Sequence, residues 1–178
     1  MPPIQRVLVR RFAEAQDAAD RVLVPTYQSV QVHESSWQDQ FDQLITNTAI
    51  SNSARDLFGN RHYSLAVEEA FKCLNNAVKS KSGLDDDGNS LMKKAFSVQN
   101  GRLKINDLKT QSQRDQQIGY MEIFAGAMTG IRNPRAHEHS YLDKPDVALE
   151  LLLLANHLMR MVDQSVRRRV RSGVAKSH

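Results

Sequence analysis

The stretch HYSLAVEEAFKCLNNAVKSK, residues 62–81, carries the clearest helical periodicity of the 178-residue chain. Its apolar side chains recur every three or four residues, a spacing that places them on one face of an α-helix. That face consists of Val67, Ala70, Phe71, Leu74, Ala77 and Val78. Polar and charged side chains fill the other faces, so the stretch is predicted to be an amphipathic helix that packs against a core.

Helical periodicity continues on both sides of this stretch, whereas the strict alternation of apolar and polar residues that is typical of a β-strand is rare. Aromatic residues make up only 6% of the chain, which also favours helices over strands. The further predicted helices are 37–45, 54–58, 90–96, about 113–131 and one that opens at Pro145. Residues 100–110 are polar and are predicted to form a loop with room for a short strand or turn. The fold class is therefore predicted to be all-α, a helical bundle.

Polar residues and glycines predict where these helices start and how they pack. Ser51–Ser53 is predicted to interrupt the chain and cap the short helix that follows it. The acidic run 85–87 is predicted to cap the next helix, because a calcium loop would need a different acidic spacing. Gly126 and Gly130 weaken their helix, so the close approach of another helix backbone is expected there.

The chain is predicted to divide into three parts. Residues 1–50 form an N-terminal helical arm, residues 51–166 form the bundle, and residues 167–178 form a basic, disordered tail. From residue 166 onward there are five basic and no acidic side chains, so the net charge of +4 belongs to the tail. The bundle itself lacks the general charge signature of a polyanion-binding protein.

Cysteine content and hydropathy predict a cytoplasmic protein without a membrane span. Cys73 is the single cysteine, so no intramolecular disulfide holds the fold, as expected in a reducing compartment. The N-terminus lacks the apolar core and cleavage site of a secretory signal. The most apolar run, 147–154, contains Glu150 and is far too short to span a bilayer.

A dense polar segment, RNPRAH at residues 132–137, lies between the two best-defined helices. Part of it has a structural explanation, because Asn133 is suited to cap the preceding helix and Pro134 to stop it. An arginine near a helix C-terminus also complements the helix dipole, so this explanation leaves out only His137. A histidine exchanges protons near neutral pH, and a guanidinium stabilises charge on phosphate oxygens. The pair predicts cleavage of RNA by its own 2′-hydroxyl, with no metal or other cofactor.

The segment and its flanks resemble a known family. An Arg, a polar residue, three more residues and a His at the end of a bundle helix are similar to the R-x4-6-H motif of HEPN domains. The flanks, over roughly residues 53–164, are similar to the Ymh-type branch, which occurs in prophages and defence loci. The similar blocks are Leu57-Phe58, His62-Tyr63, Ala66-Val67, Glu69-Ala70-Phe71-Lys72, Gly88, Leu91-Met92, Ala95-Phe96 and Phe124-Ala125-Gly126-Ala127.

The resemblance implies a HEPN-like bundle of four to five core helices that forms a homodimer, with two motifs lining one cleft. It implies a metal-independent endoribonuclease in a toxin or anti-phage defence role, with cyclic phosphate products and an antitoxin or defence-complex protein as a further partner. By position, Arg132 would stabilise the phosphate charge, Asn133 would orient the site and His137 would be the general base or acid. Arg135 and His139 are additional candidates for binding RNA.

Other interpretations stay open on the residues alone. Glu69 and Lys72 lie one helical turn apart and are candidates for RNA binding, although a surface ion pair is preferred. A metal site at His137 and His139 is disfavoured, because alternate residues of a helix point apart. The motif also suits RNA or nucleotide binding without cleavage, and the bundle suits an oligomerisation module of a defence or toxin–antitoxin complex.

Overall fold

The computed structural model describes residues 36–138 and 141–168, and these residues are mostly helical, which confirms the all-α class. In chain order they form α1 (Trp37–Leu44), α2 (Thr48–Gly59), α3 (Tyr63–Ser82), α4 (Gly88–Phe96), β1 (Leu103–Lys104), α5 (Gln111–Ala127), a π-helical segment (Met128–Arg132), α6 (Asn133–His137), α7 (Pro145–Gln164) and β2 (Val166–Arg167). The predicted helix of the N-terminal arm and nearly all of the basic tail lie outside this range. Within it, no helix is long and apolar enough to cross a membrane.

Helix α3 lies at the centre of the bundle. It packs against α2, α4 and α7, and also against the π-helical segment and α6. Phe71, Leu74 and Val78 are fully buried, and removing each such side chain from water contributes about 1.5–3 kcal/mol. The apolar face predicted for residues 62–81 is confirmed, with Ala77 at its partly buried edge.

Helix α2 begins earlier than the sequence predicts. Asn47 caps it, because its side-chain oxygen accepts hydrogen bonds from the backbone N–H groups of Ala49 at 3.1 Å and Ile50 at 3.4 Å. The predicted interruption at Ser51–Ser53 is wrong. These residues continue the helix, because Ile50 before them and Ala54 after them are both buried on its inner face.

Helix α4 follows the acidic run, and an acidic residue takes its N-cap position as predicted, but without a side-chain capping bond. Asp87 occupies the N-cap position and makes no side-chain hydrogen bond to the first turn of the helix. Its carboxylate accepts hydrogen bonds from Asn75 and Lys79 on α3 instead. The helix itself is confirmed and starts two residues before the predicted range.

Strands β1 and β2 pair in a short antiparallel ladder beside α5. The fully buried Gln117 of α5 holds the chain there, since its amide donates to the carbonyl oxygens of Phe96 at 2.7 Å and Leu103 at 3.1 Å. Its side-chain oxygen accepts from the N–H of Ile105 at 2.9 Å. The loop with a short strand predicted for residues 100–110 is confirmed.

The sequence predicts that the bundle starts at residue 51. In the structure the apolar core also includes residues before this position. Phe41, Ile45 and Ile50 are buried in the same cluster as the inner face of α3. Helix α1 also packs against both α2 and α7. The first two described helices are therefore part of the bundle core.

Glycines occupy open positions in one helix and a crowded position in one turn. At Gly126 and Gly130 an added Cβ atom would meet nothing within 4 Å, so the expected close approach of another helix does not occur among the described residues. At the buried Gly101 an added Cβ would collide with the carbonyl oxygen of Ser97 and lie 2.8 Å from that of Ala95. The turn after α4 therefore requires a residue without a side chain.

We expect Gly101→Ala to lower the free energy of unfolding by about 1–3 kcal/mol, because backbone atoms must move to admit the methyl group. Gly119→Ala is the matched control, since an added Cβ there meets nothing within 4 Å. Inside a helix that control should gain up to about 1 kcal/mol. Urea denaturation followed by circular dichroism measures both variants. Unchanged stability of Gly101→Ala would contradict the expectation.

Candidate active site

The helix that leads into the motif changes its winding instead of ending at Asn133. The backbone N–H of Asn133 donates to the carbonyl oxygen of Met128, five residues earlier, as in a π-helix. Pro134 explains this, because it has no N–H for the carbonyl of Gly130 and its ring would collide with that carbonyl in an α-helix. The wider π turn accommodates the proline, and α6 continues the chain. The predictions that Asn133 caps the helix and Pro134 stops it are therefore wrong.

Arg135 and Asp143 form a buried ion pair that fixes this short helix. Nε and Nη2 of Arg135 lie 2.7 and 2.6 Å from the two carboxylate oxygens of Asp143, and the side chains are only 3% and 4% exposed. Nη1 donates to the carbonyl oxygen of Ile131 at 2.8 Å, and the guanidinium lies 4.6 Å from the ring centre of Tyr141. The backbone N–H of Asp143 donates to Ser64 Oγ at 2.8 Å. These contacts join α6, the turn before α7 and the start of α3.

This ion pair changes the role of Arg135. The sequence predicts that Arg135 binds RNA, but a buried guanidinium cannot leave its carboxylate without stranding a charge away from water. Arg135 therefore holds the segment 132–137 in place. Arg132 remains as the partly exposed cation of that segment.

Arg132 and Asn133 lie together, half-buried, next to the surface where the π-helical segment packs against α3 and α4. Nη1 of Arg132 donates to Oδ1 of Asn133 at 3.3 Å, which restrains one end of the guanidinium. The pKa of the Asp87 carboxyl is lowered by hydrogen bonds, first from Asn75 and then from Lys79, and in addition by the charge of Arg132. The charge of Arg132 therefore acts on the carboxylate that precedes α4.

His137 occupies the last position of α6, and its side chain is exposed. Its imidazole forms no hydrogen bond with residues 36–138 or 141–168. Five residues separate it from Arg132, and five residues of an α-helix correspond to about 140° of rotation around the axis. Within one chain the two side chains therefore leave the helix in different directions.

The remaining residues suggested by the sequence are Glu69, Lys72 and His139. Lys72 Nζ lies 3.0 Å from Glu69 Oε1, and both side chains are partly exposed, so they form the surface ion pair that the sequence favours. His139 lies outside the described residues. In the part of the chain that the structure describes, no three His, Cys, Asp or Glu side chains come together where a metal ion could bind.

A cluster of three polar residues before α4 is not assigned to the site by the sequence. Nδ2 of Asn75 and Nζ of Lys79 lie 2.9 and 3.1 Å from the two carboxylate oxygens of Asp87. One signal does point to this place, because Asn75 is a polar residue among the buried positions of α3 and Lys79 follows it by one helical turn. The turn between α3 and α4 brings their partner, Asp87, to them. The helical periodicity of the sequence does not predict this contact.

Comparison with known proteins identifies a family for most of the chain. The family model described as "Protein of unknown function (Hypoth_ymh)" matches residues 43–162. The matched range runs from the end of α1 nearly to the end of α7 and includes the whole segment 132–137. No curated protein and no solved structure matches the chain.

We expect Asp143→Ala to lower the free energy of unfolding by about 3–5 kcal/mol, because it leaves the Arg135 guanidinium buried without a counterion. Asp42→Ala is the matched control. It removes the carboxylate of the Arg55 pair, which has the same two-bond geometry at 2.7 Å but is exposed to solvent, so its loss should be much smaller. Urea denaturation of both variants checks this, and equal losses would contradict the role assigned to the buried pair.

Proposed function

The chain belongs to the Hypoth_ymh family, and we propose that it is a metal-independent endoribonuclease of the HEPN type. One observation carries the proposal. The buried pair of Arg135 and Asp143 fixes the short helix α6, which begins at Asn133, the hydrogen-bond partner of Arg132, and ends at the exposed His137. A fixed guanidinium and an accessible imidazole are the two groups that cleavage of RNA by its own 2′-hydroxyl requires.

In the proposed reaction the 2′-oxygen of a ribose attacks the adjacent phosphorus while His137 accepts the 2′-hydroxyl proton. The guanidinium of Arg132 stabilises the negative charge that develops on the phosphate oxygens. The bond from phosphorus to the 5′-oxygen then breaks, and the imidazolium of His137 returns its proton to that oxygen. The products are a 2′,3′-cyclic phosphate on one strand and a 5′-hydroxyl on the other.

The capacity of Arg132 to bind phosphate supports this assignment. A guanidinium has five N–H donors in a planar fork that matches the oxygens of a phosphate. Its hydrogen bond to Asn133 uses one nitrogen at 3.3 Å. The side chain is half-buried, so it meets a ligand from a restrained position with donors to spare.

We further propose that two copies of the chain build one active site. Arg132 and His137 leave their helix about 140° apart, so one chain does not aim both groups at one phosphate, whereas two copies can. Helix α7 supports the pairing, because Val147, Leu151 and Leu154 form an apolar stripe beside its buried face that is partly open to solvent. A helix that is apolar on more than one side commonly packs against a second subunit.

We expect RNA to be cut by the wild-type chain in the presence of EDTA, and Arg132→Ala and His137→Ala to lose at least about a hundred-fold in rate. Lys109→Ala is the control. It removes a cation that is 78% exposed and stands before α5, about 25 Å of helix away from the motif. Gel analysis of total RNA and growth of cells that express each variant are the measurements. If the wild-type chain leaves the RNA intact, the nuclease proposal is contradicted.

A mixture of the two inactive variants tests the shared site. If Arg132 of one copy acts with His137 of the other, a dimer that contains one copy of each variant has one intact site and one inactive site. About half of the dimers in an equal mixture have this composition. About a quarter of the wild-type activity should therefore return. Sedimentation at micromolar concentration should show a dimer. A monomer, or a mixture as inactive as its components, would contradict the shared site.

We place this nuclease in a toxin or anti-phage defence role in the cytoplasm, with an antitoxin or defence-complex protein as the partner that restrains it. The resemblance of the motif and its flanks to HEPN domains of prophages and defence loci supports that role. The alternative is a module that binds RNA without cutting it or that assembles a defence complex. Such a module would still bind RNA or assemble a complex in Arg132→Ala and His137→Ala, the two variants that the nuclease proposal expects to be inactive.

A further inference from the structure

The turn between α2 and α3 has an arginine at a position where glycine is usual. The backbone N–H of Arg61 donates to the carbonyl oxygen of Phe58 at 3.0 Å, and that of His62 donates to the carbonyl oxygen of Leu57 at 2.8 Å. These two bonds end a helix in a Schellman motif. Arg61 has a φ of +63°, which strains any residue with a Cβ atom but not glycine. The fold therefore favours glycine here, and the arginine is present at a cost to stability.

The same turn borders a cavity of about 190 Å³. Residues 61–65 line one side of it, and Leu142 and Asp143, in the turn before α7, line the other. One water molecule occupies about 30 Å³ of the liquid, so the five heavy atoms of a phosphate group have room in this cavity.

The accessible charge of this cavity is positive. Among the residues that the structure places along its walls, Asp143 is the only acid. Its side chain is 4% exposed and is neutralised by two hydrogen bonds from Arg135. Arg61 and His62 are exposed, and their side chains form no hydrogen bond or ion pair with residues 36–138 or 141–168. No described residue therefore competes with a ligand for the five N–H donors of the Arg61 guanidinium.

The cavity also lies beside the end of the segment 132–137. Two of its lining residues, Leu142 and Asp143, line a second cavity as well, and Glu138 borders that second cavity. Glu138 directly follows His137 in the chain. RNA that is bound at His137 therefore has a continuous surface along which a neighbouring phosphate reaches Arg61.

We propose that Arg61 and His62 form a subsite for a phosphate group next to the scissile phosphate of RNA. The planar guanidinium of Arg61 donates to two oxygens of that phosphate, and a ring N–H of His62 is a further donor. This inference rests on the proposed function and adds a contact that holds its substrate. The subsite lies away from the reacting atoms, so it binds the ground state and the transition state equally, which lowers KM and leaves kcat unchanged.

The binding test uses a fluorescein-labelled 2′-fluoro RNA oligonucleotide, which lacks the attacking 2′-hydroxyl and stays intact. Arg61→Gly removes the guanidinium, and Lys109→Ala is the control that removes an equal charge at an exposed position. Fluorescence anisotropy should show about ten-fold weaker binding for Arg61→Gly. The slope of log K against log salt concentration should shrink by about 0.7, the value for one phosphate of a single strand. Lys109→Ala should match the wild-type chain in both quantities.

Urea denaturation separates the loss of binding from a loss of folding. Arg61→Gly should unfold at the same urea concentration as the wild-type chain or at a higher one, because a φ of +63° suits glycine. Unchanged affinity of this variant, or weaker binding with an unchanged salt slope, would overturn the inference. A wild-type chain that does not bind the 2′-fluoro RNA would overturn it as well.

Cleavage kinetics distinguish this subsite from the reacting groups. With RNA that retains its 2′-hydroxyls, KM should rise about ten-fold in Arg61→Gly at constant kcat, whereas Arg132→Ala loses kcat. A lower kcat with unchanged KM in Arg61→Gly would overturn the subsite. If the wild-type chain leaves RNA intact, the proposed function fails by itself, and the anisotropy measurement still decides whether Arg61 binds a phosphate.

Discussion

The fold excludes the carboxylate of Asp143 from water almost completely, and a buried charge is tolerated only beside a counterion. Arg135 is that counterion, through two hydrogen bonds in parallel. Because Arg135 lies in the middle of α6 and Asp143 shortly before α7, the pair fixes the turn between these helices, and Ser64 links the turn to α3. The directions in which Arg132 and His137 leave the bundle depend on this pair.

The two arginines of one short segment thus have different tasks. Arg135 is buried in its ion pair with Asp143, whereas Arg132 is half-buried and donates a hydrogen bond to Asn133. Pro134 contributes through the winding of the helix. The π turn before it inserts one extra residue, which rotates the subsequent residues by about 100° relative to a regular α-helix. A residue that the sequence marks as a helix stop therefore sets the angular position of the site.

The sequence predicts the parts of this fold that depend on periodicity. The buried face of α3 follows from the spacing of its apolar residues, and the surface pair of Glu69 and Lys72 follows from their spacing of three. The partners of Arg135 and Asp87 do not follow in this way. Asp143 and Asn75 reach them across turns, and only the packed helices bring such residues together. The sequence therefore identifies the residues of the segment 132–137. The structure is needed to tell which of them have a structural role and which have a chemical one.

The chemical nature of the RNA ends tests the central claim most directly. A defined oligonucleotide incubated with the purified chain in EDTA should yield a 2′,3′-cyclic phosphate and a 5′-hydroxyl, which mass spectrometry distinguishes from other ends. These ends require attack by the 2′-oxygen, the reaction to which the base His137 and the cation Arg132 are assigned. A 5′-phosphate with a 3′-hydroxyl, or cleavage that appears only after a divalent metal is added, would contradict the assignment.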